Sequence, residues 1–419
     1  YDRSGLQEEI KSLSLPQPGS NRAYDPVHLL ESFLVSVLLG SHRLDHSGLL
    51  RHDKVISELF SWEKGMASEN TFCRFFKKFD TELNEDIFIT LNRWWFEKLN
   101  IKHHTIDIDS MVLTRYGNQQ GVEVGYNPRK SGRGSHHPLI AFASEAKMVV
   151  QAWMRTRDSV SKTDLEDFFA SVTSTIDKTN IGLIRADSGF FSNNTLAYLE
   201  KNQLKYIISA KMYSGLVQKI FDSKNWVPSR NGIDICSFDF KFHGCCIPRR
   251  FVIVRKLKSK NHKSGGKSFF KESDRFSKYL YSAFVTNIEL SDAMVWALYH
   301  HRAKAETQIR ELKENCGIDV FCCEEFGATE GAFRWVCVAY NLMSLYKIAL
   351  INSKTRSDSC HLKNQMHCNS RLPCKTSKED HFSVVGELAS KAFFENLFKE
   401  LEKITPQITF RPKRKFPMN

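Results

Sequence analysis

A chain of 419 residues has room for a full hydrophobic core and exceeds one typical domain, so a catalytic body with additions is expected. Its formal net charge of +13 favours a polyanionic partner; its eleven cysteines, odd in number and including the pairs Cys245-Cys246 and Cys322-Cys323, exclude a complete disulfide framework and suit a reducing cytosol. No secretory signal opens the chain, and its longest apolar stretch, around Phe33 to Leu39, follows Glu31 and is broken by Ser36, short of the ~20 residues of a spanning helix, so a soluble protein without a membrane partner is expected.

Residues 1–100 read as helical. After Pro26, the residues Leu29, Leu30, Phe33, Leu34 and Val37 recur at helical spacing, and a second run covers Asp86 to Leu99. Between them FCRFFKKF carries Arg74, Lys77 and Lys78 among aromatic residues, which fits a DNA-binding helix-turn-helix element and a plain helical packing domain equally. The stretch HHTIDIDSMVLTRY then alternates as a strand, with Ile106 and Ile108 on one face and Thr105, Asp107 and Asp109 on the other. Strands deplete aspartate, so two on one face mark either a polar site or a solvent-facing edge. Gly117 to Gly134 forms a loop whose Arg129, Lys130 and Arg133 suit phosphate contacts.

Strands are expected over His137 to Phe142 and Met148 to Met154, followed by a helix over Ser161 to Asp177. IGLIRADSGFF reads as a buried strand that delivers Asp187 at its C-terminal end, before a helix from Ser192 to Lys201 and a strand from Tyr206 to Ser209. From 211 to 278 the chain turns β-rich, and between Arg249 and Lys271 it holds nine Lys or Arg and no acid, a pattern open to both solvated surface and DNA contact. Its Gly265-Gly266-Lys267-Ser268 is no P-loop, because Asn261 stands where a Gly is required.

YLYSAFVTNIEL reads as a strand leading into one continuous helix from Tyr299 to Lys313. On a helical wheel Arg302, Glu306 and Lys313 fall within about 60° of Tyr299; Leu298, Ala305, Ile309 and Leu312 form the buried stripe, while Lys304, Gln308 and Glu311 look away. By itself this fits an ordinary amphipathic helix with Arg302–Glu306 and Glu306–Arg310 ion pairs. Trp335 to Tyr346 reads as a core helix. The polar tail holds Cys360, His361, His367, Cys368 and Cys374 without the paired CxxC of a zinc site, and no function is assigned to it.

The spacing Tyr-x2-Arg-x3-Glu-x6-Lys resembles the signature helix of bacterial insertion-sequence DDE transposases. The motifs DIDS, GYNPRKSGRG, RADSGFF and FVTN also fall in that family's order, so the resemblance runs from Pro26 to Tyr346. It implies an α/β fold: an RNase H-like mixed sheet flanked by helices, with an N-terminal helical domain and a β-rich insertion between the second and third carboxylates. The corresponding boundaries are 1–100 for a helical DNA-binding domain, 101–210 and 279–350 for the two parts of the core, 211–278 for the basic insertion and 351–419 for the tail. The resemblance also implies Asp109, Asp187 and Glu306 as catalytic metal ligands. Periodicity leaves Asp107 and Asp109 equivalent, but the family's catalytic Asp directly precedes a hydroxyl residue, as Asp109 precedes Ser110. Where the family commonly has Asp-Ser-Thr, this chain has Asp109-Ser110-Met111.

Tyr299, Arg302 and Lys313, with Arg129, Lys130 and Arg133, are the DNA-contacting residues implied. The cofactor implied is two Mg2+ ions, with Mn2+ as substitute. The implied function is cut-and-paste transposition of double-stranded DNA, acting on transposon ends and target, by a homodimer or larger synaptic complex in the nucleoid of a bacterial cytoplasm. An RNase H-like nuclease without strand transfer and a catalytically inactive DNA-binding descendant are the alternatives.

Overall fold

The computed structural model describes residues 4–352, except 21, 100, 129, 157–161, 230–231, 243, 245–246 and 259–277. The chain divides into two compact units, one of Tyr1–Asn100, Gly117–Gly121 and Glu311–Asn419, the other of Ile101–Tyr116 and Val122–Arg310.

The chain begins with helices α1 (Leu6–Ser12), α2 (Pro26–Leu38), α3 (Ser47–Leu50), α4 (Lys54–Leu59), α5 (Glu69–Phe76) and α6 (Thr81–Leu99). Asp25 starts α2: its carboxylate accepts from the Val27 and His28 N–H groups at 2.8 and 3.3 Å, and Pro26 sits where no N–H partner is needed. The apolar residues read from the sequence after Pro26 are the ones this helix buries. On α5 the Phe72, Phe75 and Phe76 rings turn inward, and Arg74 is exposed. The two lysines that follow are engaged inside the same unit, Lys77 with Glu325 at 2.7 Å and Lys78 with the Gln17 carbonyl at 2.7 Å.

The second unit is built on strands β1 (His104–Ser110), β2 (Leu113–Thr114), β3 (Glu123–Val124), β4 (Gly134–His136), β5 (Leu139–Ala143) and β6 (Met148–Trp153). Helix α7 (Lys162–Thr175), β7 (Ile181–Ala186), α8 (Asn193–Lys201) and β8 (Tyr206–Ser209) follow. Then come α9 (Ser214–Asp222), β9 (Val227–Ser229), β10 (Ile233–Phe240), β11 (Arg249–Leu257) and β12 (Tyr279–Thr286). Nine strands form one sheet in the order β6-β5-β1-β7-β8-β12-β11-β10-β9. β1 runs antiparallel to β5 and parallel to β7, and β7 is parallel to β8. This half is the RNase H-like arrangement, and α7 buries Leu165, Phe168, Phe169 and Val172 as their spacing predicts.

The β-rich insertion is continuous with that sheet. β12 pairs with β8 on one side and β11 on the other, so β9 to β11 extend the sheet instead of forming a separate module. Leu183, Ile207, Val252, Val254, Phe284 and Val295 make a single core cluster across the junction. The Gly117 to Gly134 segment, read from sequence as a loop, contains β3 and leads into β4, which with β2 form a second sheet in the order β2-β4-β3.

The described residues end with α10 (Asp292–His300), α11 (Ala303–Cys316) and α12 (Phe326–Asn352). The helix expected to run unbroken from Tyr299 to Lys313 is divided. The Arg302 N–H bonds to the Tyr299 carbonyl at 2.8 Å and the Ala305 N–H to the Arg302 carbonyl at 2.8 Å, a tightened i→i−3 turn. Tyr299 therefore lies in the last turn of α10, Arg302 lies in the turn between the helices, and Glu306 and Lys313 belong to α11. The shift in phase also corrects the wheel: Gln308, expected to look away, is buried, as are Ala305 and Leu312, and Ile309 is half-buried. Trp335 to Tyr340 on α12 are buried, the core role expected of them. No helix among the described residues is long and apolar enough to cross a membrane.

Candidate active site

Register brings the first two carboxylates together. Along the parallel β1–β7 pair, Asp107 stands opposite Arg185 and Ile108 opposite Ala186, so Asp109 and Asp187 are the next residues on adjacent strands, ~4.8 Å apart in backbone spacing. Asp187 continues in extended conformation past the end of β7, and its Oδ1 accepts from the Gly189 N–H at 2.9 Å. Glu306 is exposed in the first turn of α11.

Asp109 registers both neighbours electrostatically. Burial pushes its carboxyl up to about 6, and the charges of Asp187 and Glu306 push in the same direction, against the pull of Arg302 and the Ser110 N–H. Its Oδ2 lies 3.1 Å from Arg302 Nη2, and its Oδ1 accepts from the Ser110 N–H at 2.9 Å. Among the described residues, no three His, Cys, Asp or Glu side chains converge at the distances that hold an ion. The three carboxylates thus share one field, with a guanidinium set against Asp109.

The two aspartates of β1 stand in different surroundings. Asp107 is fully buried, and Arg185 grips it with Nε at 2.6 Å and Nη2 at 2.7 Å. Arg185 also donates from Nη2 to Ser144 Oγ at 3.1 Å and from Nη1 to the Leu298 carbonyl, tying β1 and β7 to the end of α10. Sequence reasoning missed Arg185, although an arginine in the middle of an apolar strand, immediately before the Ala-Asp of RADSGFF, is the signal that a buried acid stands beside it.

The residues expected to meet DNA divide into two groups. Tyr299 faces inward: its hydroxyl donates to the Ala186 carbonyl at 3.3 Å and its ring lies 4.4 Å from that of Phe284. Arg302 is 6% exposed. Lys130 and Arg133 are exposed between β3 and β4, with the Arg133 guanidinium 5.7 Å from the centre of the exposed Tyr116 ring. Lys313 is half-buried in the last turn of α11. Arg129 lies outside the described residues, as do the Cys- and His-bearing tail and Lys260 and Lys263 of the basic run; Lys256 of that run is exposed on β11. A cavity of about 320 Å³ opens beside Glu306 and Arg302, lined also by Ser209, Trp296 and Tyr299.

Residues 2–363 match the family model for the transposase DDE domain group 1. Among solved structures, the chain is similar to the cryo-EM structure of the piggyBac transposase synaptic complex with hairpin DNA, at 11% identity and a TM-score of 0.45, over 99% of this chain and 83% of that one. No curated protein sequence matches it. A family match that takes in both strand-end aspartates and the helix carrying Glu306 places the protein among the DDE transposases, metal-dependent enzymes that cleave DNA and transfer its strands.

Proposed function

We propose that this transposase excises a bacterial insertion sequence by cutting its ends and joins the freed 3′-OH groups to target DNA, with Asp109, Asp187 and Glu306 holding two Mg2+ ions. The observation that carries the reading is the β1–β7 register, which sets Asp109 beside Asp187 while Glu306 acts on the same carboxyl. The donor set fits the ion: all three ligands are carboxylate oxygens, as a hard cation prefers, and their mutual repulsion is relieved by positive charge. When bound, two such ions lower the pKa of the attacking water and stabilise the leaving 3′ oxygen. The protein's own part is to orient the three carboxylates and hold the phosphodiester in line.

Lys130 and Arg133, exposed beside Tyr116, supply backbone contacts to duplex DNA, joined by Arg129, Arg302 and Lys313, while Tyr299, turned inward, supports the end of β7. Residues 1–100 serve as the end-binding domain, and a homodimer or larger synaptic complex brings two ends together in the bacterial nucleoid. Glu306→Gln should abolish Mg2+-dependent nicking of end-bearing DNA while end binding persists. Wild-type nicking by that variant would remove Glu306 from the ligand set, and nicking without joined products would identify a nuclease in place of a transposase.

A further inference from the structure

We propose that Arg302 is the resident counter-ion of the carboxylate cluster and competes with the divalent metal for Asp109, so that the metal site loads fully only when DNA phosphate draws the guanidinium away. This rests on the reading of Asp109, Asp187 and Glu306 as metal ligands.

Three features of the arginine support a removable cation. Its Nη2 reaches Asp109 Oδ2 at 3.1 Å and the Ile108 carbonyl at 3.0 Å, so one nitrogen serves both acceptors and the fork that guanidinium offers to a carboxylate is not used. Its Nε is buried and has no hydrogen-bond partner among the described residues, an unmet donor that weakens the hold of this position. It lines the 320 Å³ cavity with Glu306, which gives the side chain space to leave.

A guanidinium and a divalent cation repel each other, and Arg302 stands against Asp109 Oδ2, a carboxylate oxygen that the cation would also call on. A phosphodiester offers Arg302 two oxygens at once, the bidentate geometry it lacks against Asp109. Whatever factor DNA contributes to metal affinity, metal contributes to DNA affinity, because the coupling is reciprocal. The consequence is an enzyme whose Asp109 is neutralised without metal and whose reactive centre is completed on the substrate.

The test uses the full chain and Mn2+ as a spectroscopic probe, with free Mn2+ counted by electron paramagnetic resonance. Without DNA, Arg302→Gln should tighten Mn2+ binding at least tenfold over wild type, and Arg302→Lys, which keeps the charge, should stay within about threefold of it. Arg302→Met fills the same space without a donor and replaces the Gln variant if that one unfolds. Adding a duplex, after correction for Mn2+ held by the DNA itself, should tighten binding to wild type and leave Arg302→Gln unchanged. Equal or weaker Mn2+ binding by Arg302→Gln and Arg302→Met overturns the competition. Asp187→Asn separates the two levels: if it weakens Mn2+ binding to the wild type while the arginine variants change nothing, only this proposal fails. If it leaves the Mn2+ binding of Arg302→Gln untouched, or if no variant binds Mn2+, the carboxylate reading fails with it.

Discussion

Two Asp–Arg pairs stand two residues apart on one strand, and they differ in how completely they are built. In the middle of β1, Asp107 and Arg185 are closed off from solvent and every nitrogen of the guanidinium has an acceptor. At the end of the same strand, Asp109 and Arg302 share a single contact, the carboxylate side chain is 14% exposed, and one guanidinium nitrogen is left over. The chemistry is the same; the difference lies in desolvation and in the fraction of donors satisfied. A saturated buried pair is a fixed joint, because opening it leaves two bare charges, whereas an unsaturated pair at a strand end is open to exchange.

The contrast is sharpest in stability. Arg185→Met should cost about 3–5 kcal/mol, read as lost hydrogen-exchange protection in β1 and β7, because it strands the Asp107 charge. Adding Asp107→Leu to that variant should recover most of the loss; no recovery would mean that the Leu298 and Ser144 contacts, not charge pairing, make the joint. Asp109→Asn should lower Mg2+-dependent cleavage at least about a hundredfold, more than the loss typical of residues that only support a ligand. The same variant should be more stable than wild type by about 1–3 kcal/mol at pH 7.5. Its folded carboxyl is raised to about 6, so the acid form is favoured on folding below that pH and the ionised form costs stability above it; the advantage of Asn should shrink on going to pH 5. An Asp109→Asn protein less stable than wild type at pH 7.5 would show that its pair is closed like that of Asp107. The smallest effect is expected from Ser144→Ala, about 0.5–1.5 kcal/mol by hydrogen exchange, since Arg185 keeps its other acceptors.

Much of this site is legible in the chain because it is encoded locally. The alternation of HHTIDIDS fixes β1, the apolar run before Asp187 fixes β7, and the strand over Tyr206 to Ser209 is read to its ends. What escapes the sequence is set by distant partners. The turn between α10 and α11 holds neither Pro nor Gly, so no residue type announces it, and with it goes the burial of Gln308. Two-residue strands such as β2 and β3 are too short to show a period. The joining of β9–β11 to the core sheet depends on edge pairing with β12, which composition does not encode. Asp107 and Asp109 are equivalent by period; the resemblance favours Asp109 through Ser110, and their partners show the physical difference between them.

The pairing of β12 with β8 also sets an order in time. Strands β1, β7 and β8 assemble from one stretch of chain, whereas β12 arrives only after the whole insertion has been made, and loop closure over such a distance is slow. Helix α10, and the turn that leads to Glu306, follow β12 directly. During synthesis, then, Asp109 and Asp187 emerge before Glu306, and under the reading proposed above a chain that stalls inside the insertion should not cleave DNA.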